Sequence, residues 1–101
     1  MAAAKSRRDV EPSAPDGEEE LSAVSIASKA LDVLSGLTTK PLNGVTSVEP
    51  IEDGWLVEIE VLEERRIPSS SDMLALYEVE LGFDGTLLAY RRTRRYGRGA
   101  R

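Results

Sequence analysis

One alternating stretch, from Trp55 to Val61, limits what this chain can fold into more than any other feature. Four apolar residues are interleaved with two acids: Trp55, Val57, Ile59 and Val61, with Glu58 and Glu60. In a strand, successive side chains point to opposite faces, so this spacing puts the apolar groups on one face and the carboxylates on the other. The stretch therefore predicts a half-buried antiparallel strand.

An Asp-Gly pair directly precedes this strand and predicts a hairpin. Asp53-Gly54 suits a two-residue turn whose central positions both need positive φ. Before it, Val45 to Ile51 form a short apolar run that we interpret as a strand. Pro50 cannot donate a ladder hydrogen bond, so this strand is expected near an edge of the sheet or to end there.

A second alternating run leads into a second Asp-Gly pair. The residues that alternate with Glu78 and Glu80 are Ala75, Tyr77, Val79 and Leu81, and Asp84-Gly85 follows them. A helix capped by Ser71 or Asp72 is the rival interpretation, but the β-rich run and the turn favour a hairpin. A loop of even length predicts one register, in which Glu78 faces Arg91 as an ion pair. The other pairs of this register are Leu81 with Leu88, Glu80 with Ala89, Val79 with Tyr90, Tyr77 with Arg92, and Leu76 with Thr93. An odd-length loop would change this register.

Residues 20–37 carry a broad apolar face at helical spacing, and they predict the only helix. Glu20 or Ser22 is the expected start and Gly36 the expected end. The predicted fold class is α+β, with one N-terminal helix packed on a four-stranded antiparallel meander sheet. Residues 1–20 are expected to form a disordered acidic N-terminal arm, residues 21–96 a single domain, and residues 97–101 a frayed basic tail.

The residue inventory argues against catalysis. The chain has no cysteine, which excludes thiol chemistry, and no histidine, which removes the commonest general base and the commonest metal ligand. Its serines lie in no nucleophile-elbow pattern. The chain has three pairs of neighbouring acids that fit an exposed strand face: Glu58/Glu60, Glu63/Glu64 and Glu78/Glu80. We therefore expect no enzyme activity, no cofactor and no metal site. No signal peptide or membrane-spanning run is recognisable, so a cytoplasmic location is expected.

Charge is distributed unevenly along the chain. The net charge is −5, yet residues 91–101 contain six arginines and no acid, which leaves −11 on residues 1–90. Arginines beside Tyr90 and Tyr96 could bind phosphates and stack on bases, but the acidic remainder would repel a polyanion. A small nucleic-acid-binding or regulatory domain that uses this arginine and tyrosine tail stays open as the alternative function.

Several segments between Gly54 and Arg98 resemble one known family. They are the strand that begins at Trp55, the Arg66-Ile67-Pro68 triplet, Asp72 with Leu74 and Ala75, Tyr77-Glu78-Val79, Gly85 with Leu87, and the ending Tyr90-Arg91-Arg92 with Arg94-Arg95-Tyr96. In this order they resemble the gas vesicle protein O family, small accessory proteins of gas vesicle clusters. The resemblance implies a non-enzymatic accessory factor for gas vesicle assembly. It also implies that the partners are other gas vesicle proteins, shell or accessory, and that the chain could associate with the vesicle.

We expect two segments to bind those partners. Arg94, Arg95 and Tyr96 are expected to lie past the end of sheet pairing, where their side chains could reach another protein. Arg66, Ile67 and Pro68 lie in a predicted irregular loop, where a side chain contacts a partner more often than it fills a core. Trp55 is expected to pack in the core, as large aromatic residues on strands usually do.

Overall fold

The computed structural model describes residues 21–99 and contains one helix and one sheet. The elements are α1 (Ala23–Ser35), β1 (Leu42–Ile51), β2 (Gly54–Glu64), a 3₁₀ turn (Ser69–Ser71), β3 (Met73–Gly82) and β4 (Leu87–Gly97). The sheet has the order β1-β2-β3-β4 and all its pairs are antiparallel, which confirms the α+β meander. The rival helix is wrong, because its residues form β3. The expected arm, residues 1–20, lies outside the described residues, as do residues 100 and 101.

Capping sets both ends of α1. Ser22 is extended, and its Oγ accepts a hydrogen bond from the Ser25 backbone N–H at 3.2 Å, which satisfies a donor of the first turn. At the other end the Gly36 N–H bonds to the carbonyl of Val33. The predicted start at Ser22 and end at Gly36 are confirmed, and the helix between them is slightly shorter than residues 20–37.

The core lies between α1 and one face of the sheet. The side chains of Ile26, Ala30 and Leu34 are fully buried, as expected for positions four apart on one helix face. They pack against a fully buried apolar set from β2 and β3: Val57, Ile59, Val61, Val79 and Leu81. Trp55 is partly buried against this cluster, as the sequence predicted. The opposite face carries the carboxylates of β2 and β3, and within residues 21–99 no helix covers it.

The first hairpin turn is displaced by one residue from the prediction. Ile51 pairs with Gly54, so the two-residue turn is Glu52-Asp53 rather than Asp53-Gly54. Gly54 is the first residue of β2, it is buried, and its φ lies outside the left-handed region. Any Cβ there would collide with the backbone carbonyl oxygen of Leu81. A close backbone approach, not a turn conformation, is therefore the reason for glycine here.

The second hairpin keeps the predicted register only in its middle. The pairs Glu78–Arg91, Val79–Tyr90 and Tyr77–Arg92 are confirmed. The predictions for both ends are wrong, since Leu81 pairs with Leu87 and Leu76 pairs with Arg94. The loop is odd in length: Gly82 N–H bonds to the Thr86 carbonyl across three residues, and Gly85 has a φ of +91°. Each change of register adds one unpaired residue to β4, as a β-bulge does.

Candidate functional site

Most arginines of β4 are paired with carboxylates of the neighbouring strands. The pairs and their N–O distances are Arg91 with Glu78 at 2.9 Å and with Glu80 at 2.7 Å, Arg92 with Glu63 at 3.0 Å, and Arg95 with Glu63 at 3.4 Å and with Glu64 at 3.5 Å. The predicted Glu78–Arg91 pair is therefore present. All of these guanidinium groups remain about half exposed, so the pairs align the strands more than they stabilise them.

The three residues expected beyond the sheet lie within it. Strand pairing continues to Gly97, because β3 already begins at Met73 and Met73 pairs with Gly97, so Arg94, Arg95 and Tyr96 all belong to the ladder. The Tyr96 hydroxyl donates a hydrogen bond to Glu60 Oε2 at 2.6 Å, across the intervening β3. The Arg94 guanidinium lies over the Tyr96 ring, 4.8 Å from its centroid. Within residues 21–99, Arg94 has no carboxylate at ion-pair distance.

Asp72 fastens the loop between β2 and β3 to the end of β4. Its Oδ1 accepts from the Arg66 backbone N–H at 2.7 Å, and its Oδ2 accepts from Arg98 Nη2 at 3.1 Å. The Arg98 N–H also bonds to the Asp72 carbonyl at 2.7 Å. Arg98 is thus held against the domain, although the sequence led us to expect a frayed tail from residue 97 onward.

The two predicted binding segments lie at the same end of the sheet. Arg66 Nη2 and Arg95 Nη2 both approach Glu64 Oε1, at 3.1 and 3.5 Å. Between the anchors at Arg66 and Asp72, Ile67 is fully exposed and the peptide bond to Pro68 is cis. Ile67 is an apolar side chain on a loop that is tied down at both ends. We call Arg66, Ile67, Pro68, Arg94, Arg95 and Tyr96 the loop–β4 surface.

Sequence reasoning missed the residues that join this surface, namely Glu63, Glu64 and Asp72. Asp72 was interpreted only as a possible helix cap, and Glu63 and Glu64 as an exposed acidic pair. One signal was available in the topology. In an antiparallel meander the end of the fourth strand lies beside the start of the third, and this places Asp72 next to the terminal arginines.

Hydrogen bonding shifts several pKa values around this surface. The Arg66 N–H lowers the pKa of Asp72 most, and the Arg66 side chain lowers that of Glu64. Hydrogen bonds from Tyr96 and Asn43 lower the pKa of Glu60. Burial, followed by the bond to Glu60, raises the pKa of Tyr96 to about 12. Each pKa is thus moved further from neutral pH, where these carboxylates are ionised and the phenol is protonated in any case.

Two further properties bear on function. Between residues 21 and 99, no acidic residues are grouped so that they could hold a metal ion. The single helix in that range has 13 residues, and it is neither long nor apolar enough to cross a membrane.

The chain is similar to three curated gas vesicle proteins. Over 82 residues it is 44% identical to Gas vesicle protein O of Streptomyces sp. (strain CB03234), covering 81% of this chain and 64% of the relative. It is 29% identical to Gas vesicle protein O1 of Halobacterium salinarum, covering 90% of this chain and 81% of the relative. It is also 28% identical to Gas vesicle protein O of Haloferax mediterranei, covering 84% of this chain and 60% of the relative.

This chain spans less than two thirds of the Streptomyces and Haloferax relatives. No solved structure matches it significantly. The family model described as "Gas vesicle synthesis protein GvpO" matches residues 9–101, which is nearly the whole chain. The chain therefore belongs to the GvpO family of gas vesicle synthesis proteins.

Proposed function

We propose that this protein is a non-enzymatic accessory factor in gas vesicle assembly, which docks shell or other accessory proteins. The observation that carries this proposal is membership of a family described by gas vesicle synthesis. The absence of cysteine and histidine fits a binding role better than a catalytic one. Its partners would be other gas vesicle proteins, and its place of action the growing vesicle.

The loop–β4 surface is the docking site in this proposal. Ile67 is a fully exposed apolar side chain whose loop is anchored by Asp72, so little conformational entropy is lost when a partner covers it. Arg66 adjoins it in sequence, and Arg94 is an exposed residue near the same end of the sheet, where it pairs with Leu76 of β3. An apolar anchor next to positive charge suits a partner that has an apolar pocket and an acidic rim.

The position of β4 adds a second means of attachment. It is an edge strand, so one side of its backbone has no strand partner within residues 21–99. An extended segment of another protein could add to this edge, with the backbone supplying affinity and the arginines supplying orientation. The other edge, β1, suits such pairing less, because it contains Pro50, which has no backbone N–H to donate.

Nucleic-acid binding has less support in this arrangement. Four arginines near the end of the chain, Arg91, Arg92, Arg95 and Arg98, already pair with carboxylates of the same domain. A phosphate would have to compete with those carboxylates in a negatively charged protein. Measured binding to duplex DNA or single-stranded RNA that falls steeply with salt would favour this alternative over protein docking.

A complementation experiment tests the proposed role. The gene is removed from a cell that makes gas vesicles and returned as wild type, as Ile67→Asp with Arg94→Glu, or as Val24→Asp. Val24 is a matched control because its side chain is 80% exposed on α1, away from the loop–β4 surface. We expect the wild type and the control to restore vesicles and to co-purify vesicle proteins. The double variant should do neither. Vesicles that form without the gene would contradict the assembly role, and full rescue by the double variant would contradict this docking site.

A further inference from the structure

The helix-side face of the sheet is wider than the helix that covers it. Four strands about 4.8 Å apart make a sheet roughly 19 Å wide, whereas a helix with its side chains is about 10–12 Å across. Helix α1 packs chiefly on β1, β2 and β3. The part of this face that belongs to β4 is left without a helix in the described chain, and the uncovered width is about 7–9 Å, most of the width of one more helix.

Four side chains of β4 form this uncovered part, and we call them the β4 strip. The strip consists of Leu87, Tyr90, Arg92 and Arg95. These residues lie on the helix side of the sheet because each pairs with a β3 residue on the face that contacts α1. Their partners are, in the same order, Leu81, Val79, Tyr77 and Ala75. The exposed fractions of Leu87 and Tyr90 are 36% and 44%, which is high for apolar side chains that continue a buried face. The strip is therefore apolar near the β3–β4 hairpin and basic toward the end of β4.

Positive charge exceeds negative charge at the basic end. Arg92 and Arg95 share Glu63, and Arg95 shares Glu64 with Arg66, so three guanidinium groups face two carboxylates. Near the hairpin, the Lys29 side chain of α1 lies beside Gly85 and adds a cation at the border of the strip. This local excess occurs in a chain whose net charge is −5, so it selects the charge of whatever covers the strip.

We propose that the β4 strip binds an amphipathic helix of a partner gas vesicle protein, whose contacting face is apolar toward one end and acidic toward the other. The apolar end covers Leu87 and Tyr90, and the acidic end meets Arg92 and Arg95. The bound helix lies beside α1 and completes a two-helix layer over the sheet. This inference rests on the proposed docking function. It names a second surface, which shares Arg95 with the loop–β4 surface, and the chemistry of its partner.

Two other occupants fit less well. The preceding residues of this chain, 1–20, carry Val10 as their one large apolar side chain after Met1, which is too little for an apolar ridge. A second copy of the chain packed strip to strip would bring its own Arg92 and Arg95 toward those of the first, and like charges disfavour that contact.

Binding is tested with a synthetic helical peptide of about five turns. One half of it carries leucines at i, i+3, i+4 and i+7, and the other half carries glutamates on the same face. Its control has lysine in place of each glutamate. We expect the acidic peptide to shift backbone amide NMR signals of the β4 strip and of the adjacent flank of α1. The lysine peptide should cause much smaller shifts. Shifts centred on the opposite face, for example at Glu58 or Glu78, or equal shifts with both peptides, would overturn the proposal.

Variants separate the apolar and the charged contributions. Tyr90→Ser and the pair Arg92→Gln with Arg95→Gln should each weaken peptide binding by about tenfold, as expected for anchors at an interface. Val24→Ser is the control, because it removes an exposed apolar side chain outside the strip. Far-ultraviolet circular dichroism checks that each variant is folded. Unchanged affinity in the folded Tyr90→Ser variant would contradict the assignment.

The same variant distinguishes this inference from the proposed function. The gene that encodes Tyr90→Ser is introduced into the vesicle-forming strain from which the native gene has been removed. If the deletion abolishes vesicles and Tyr90→Ser restores them fully, the protein is an assembly factor but the strip is not its helix site. If the deletion leaves vesicles intact, the assembly role itself fails, whatever the peptide does.

Discussion

Gly54 is the residue whose identity the backbone determines most strongly. It pairs with Ile51 on one side and Gly82 on the other, and a Cβ on it would collide with the Leu81 carbonyl. We expect Gly54→Ala to lower the free energy of unfolding by about 1–3 kcal/mol or more, because the central strands must move apart. Urea denaturation measures the change.

Gly97 supplies the matched control. It also lies in a strand, but nothing comes within 4 Å of its Cβ position and its φ lies outside the left-handed region. Gly97→Ala should therefore change stability by less than about 0.5 kcal/mol. If both variants lose the same unfolding free energy, the collision at Gly54 does not determine the effect of the Gly54→Ala substitution.

Tyr96 predicts a pH dependence on the alkaline side. Burial and the hydrogen bond to Glu60 raise the pKa of its phenol from 10.0 to about 12, so the folded state favours the protonated form. This contribution to stability is complete below pH 10 and is lost as the pH rises through 12. In Tyr96→Phe it should be absent, so the stability difference between wild type and variant should shrink between pH 10 and 12. Urea midpoints measured across that range check the trend, and a constant difference would contradict it.

At the scale of single elements, the helix start offers a direct test. The Ser22 hydroxyl accepts the Ser25 N–H, so Ser22→Ala leaves a first-turn donor without its cap. The expected loss is about 0.5–2 kcal/mol of unfolding free energy. Ser28→Ala in the middle of the same helix is the control, and it should be neutral or slightly stabilising because alanine favours helix. Thermal denaturation compares the two, and equal effects would argue against capping by Ser22.

The elements differ in how far the sequence could predict them. Alternation fixed which residues of β2 and β3 face the core, because one face is apolar and the other acidic. It could not fix the ends of the β3–β4 register. That register depends on whether the loop around Phe83 has an odd or even number of residues and on a bulge near Thr93. Both follow from backbone hydrogen bonds that arise only when the strands meet.

At the scale of the whole molecule, the two ends of the sheet are held together differently. At one end, the Leu21 backbone N–H donates a hydrogen bond to the Phe83 carbonyl, and the Leu21 side chain lies near Gly85. The segment that leads into the helix is therefore attached to the β3–β4 hairpin. At the other end, ion pairs and hydrogen bonds join the loop before β3 to the end of β4. The sequence predicted the apolar layer between helix and sheet but not this charged end, because its contacts join residues up to 36 positions apart, as in Tyr96 to Glu60.

Asp72 holds that charged end, and its replacement gives the last prediction. In Asp72→Asn the amide cannot accept from both Arg66 and Arg98 as a carboxylate does, so the loop and the end of β4 should loosen together. Hydrogen exchange should speed up at the Arg66 and Arg98 amides while the core amides of Val57 and Val79 keep their protection. Asp32→Asn, an exposed change on α1, is the control.

The same variant should also lose part of its acid dependence. The folded state depresses the pKa of Asp72 below the usual 3.8, so the contribution of this group is complete above that pH and disappears as the pH falls through the folded pKa. The wild type should therefore lose stability below about pH 4 more steeply than Asp72→Asn does. If both proteins follow one acid curve and their Arg66 and Arg98 amides exchange equally, Asp72 does not fasten the loop, and the anchored presentation of Ile67 has no basis.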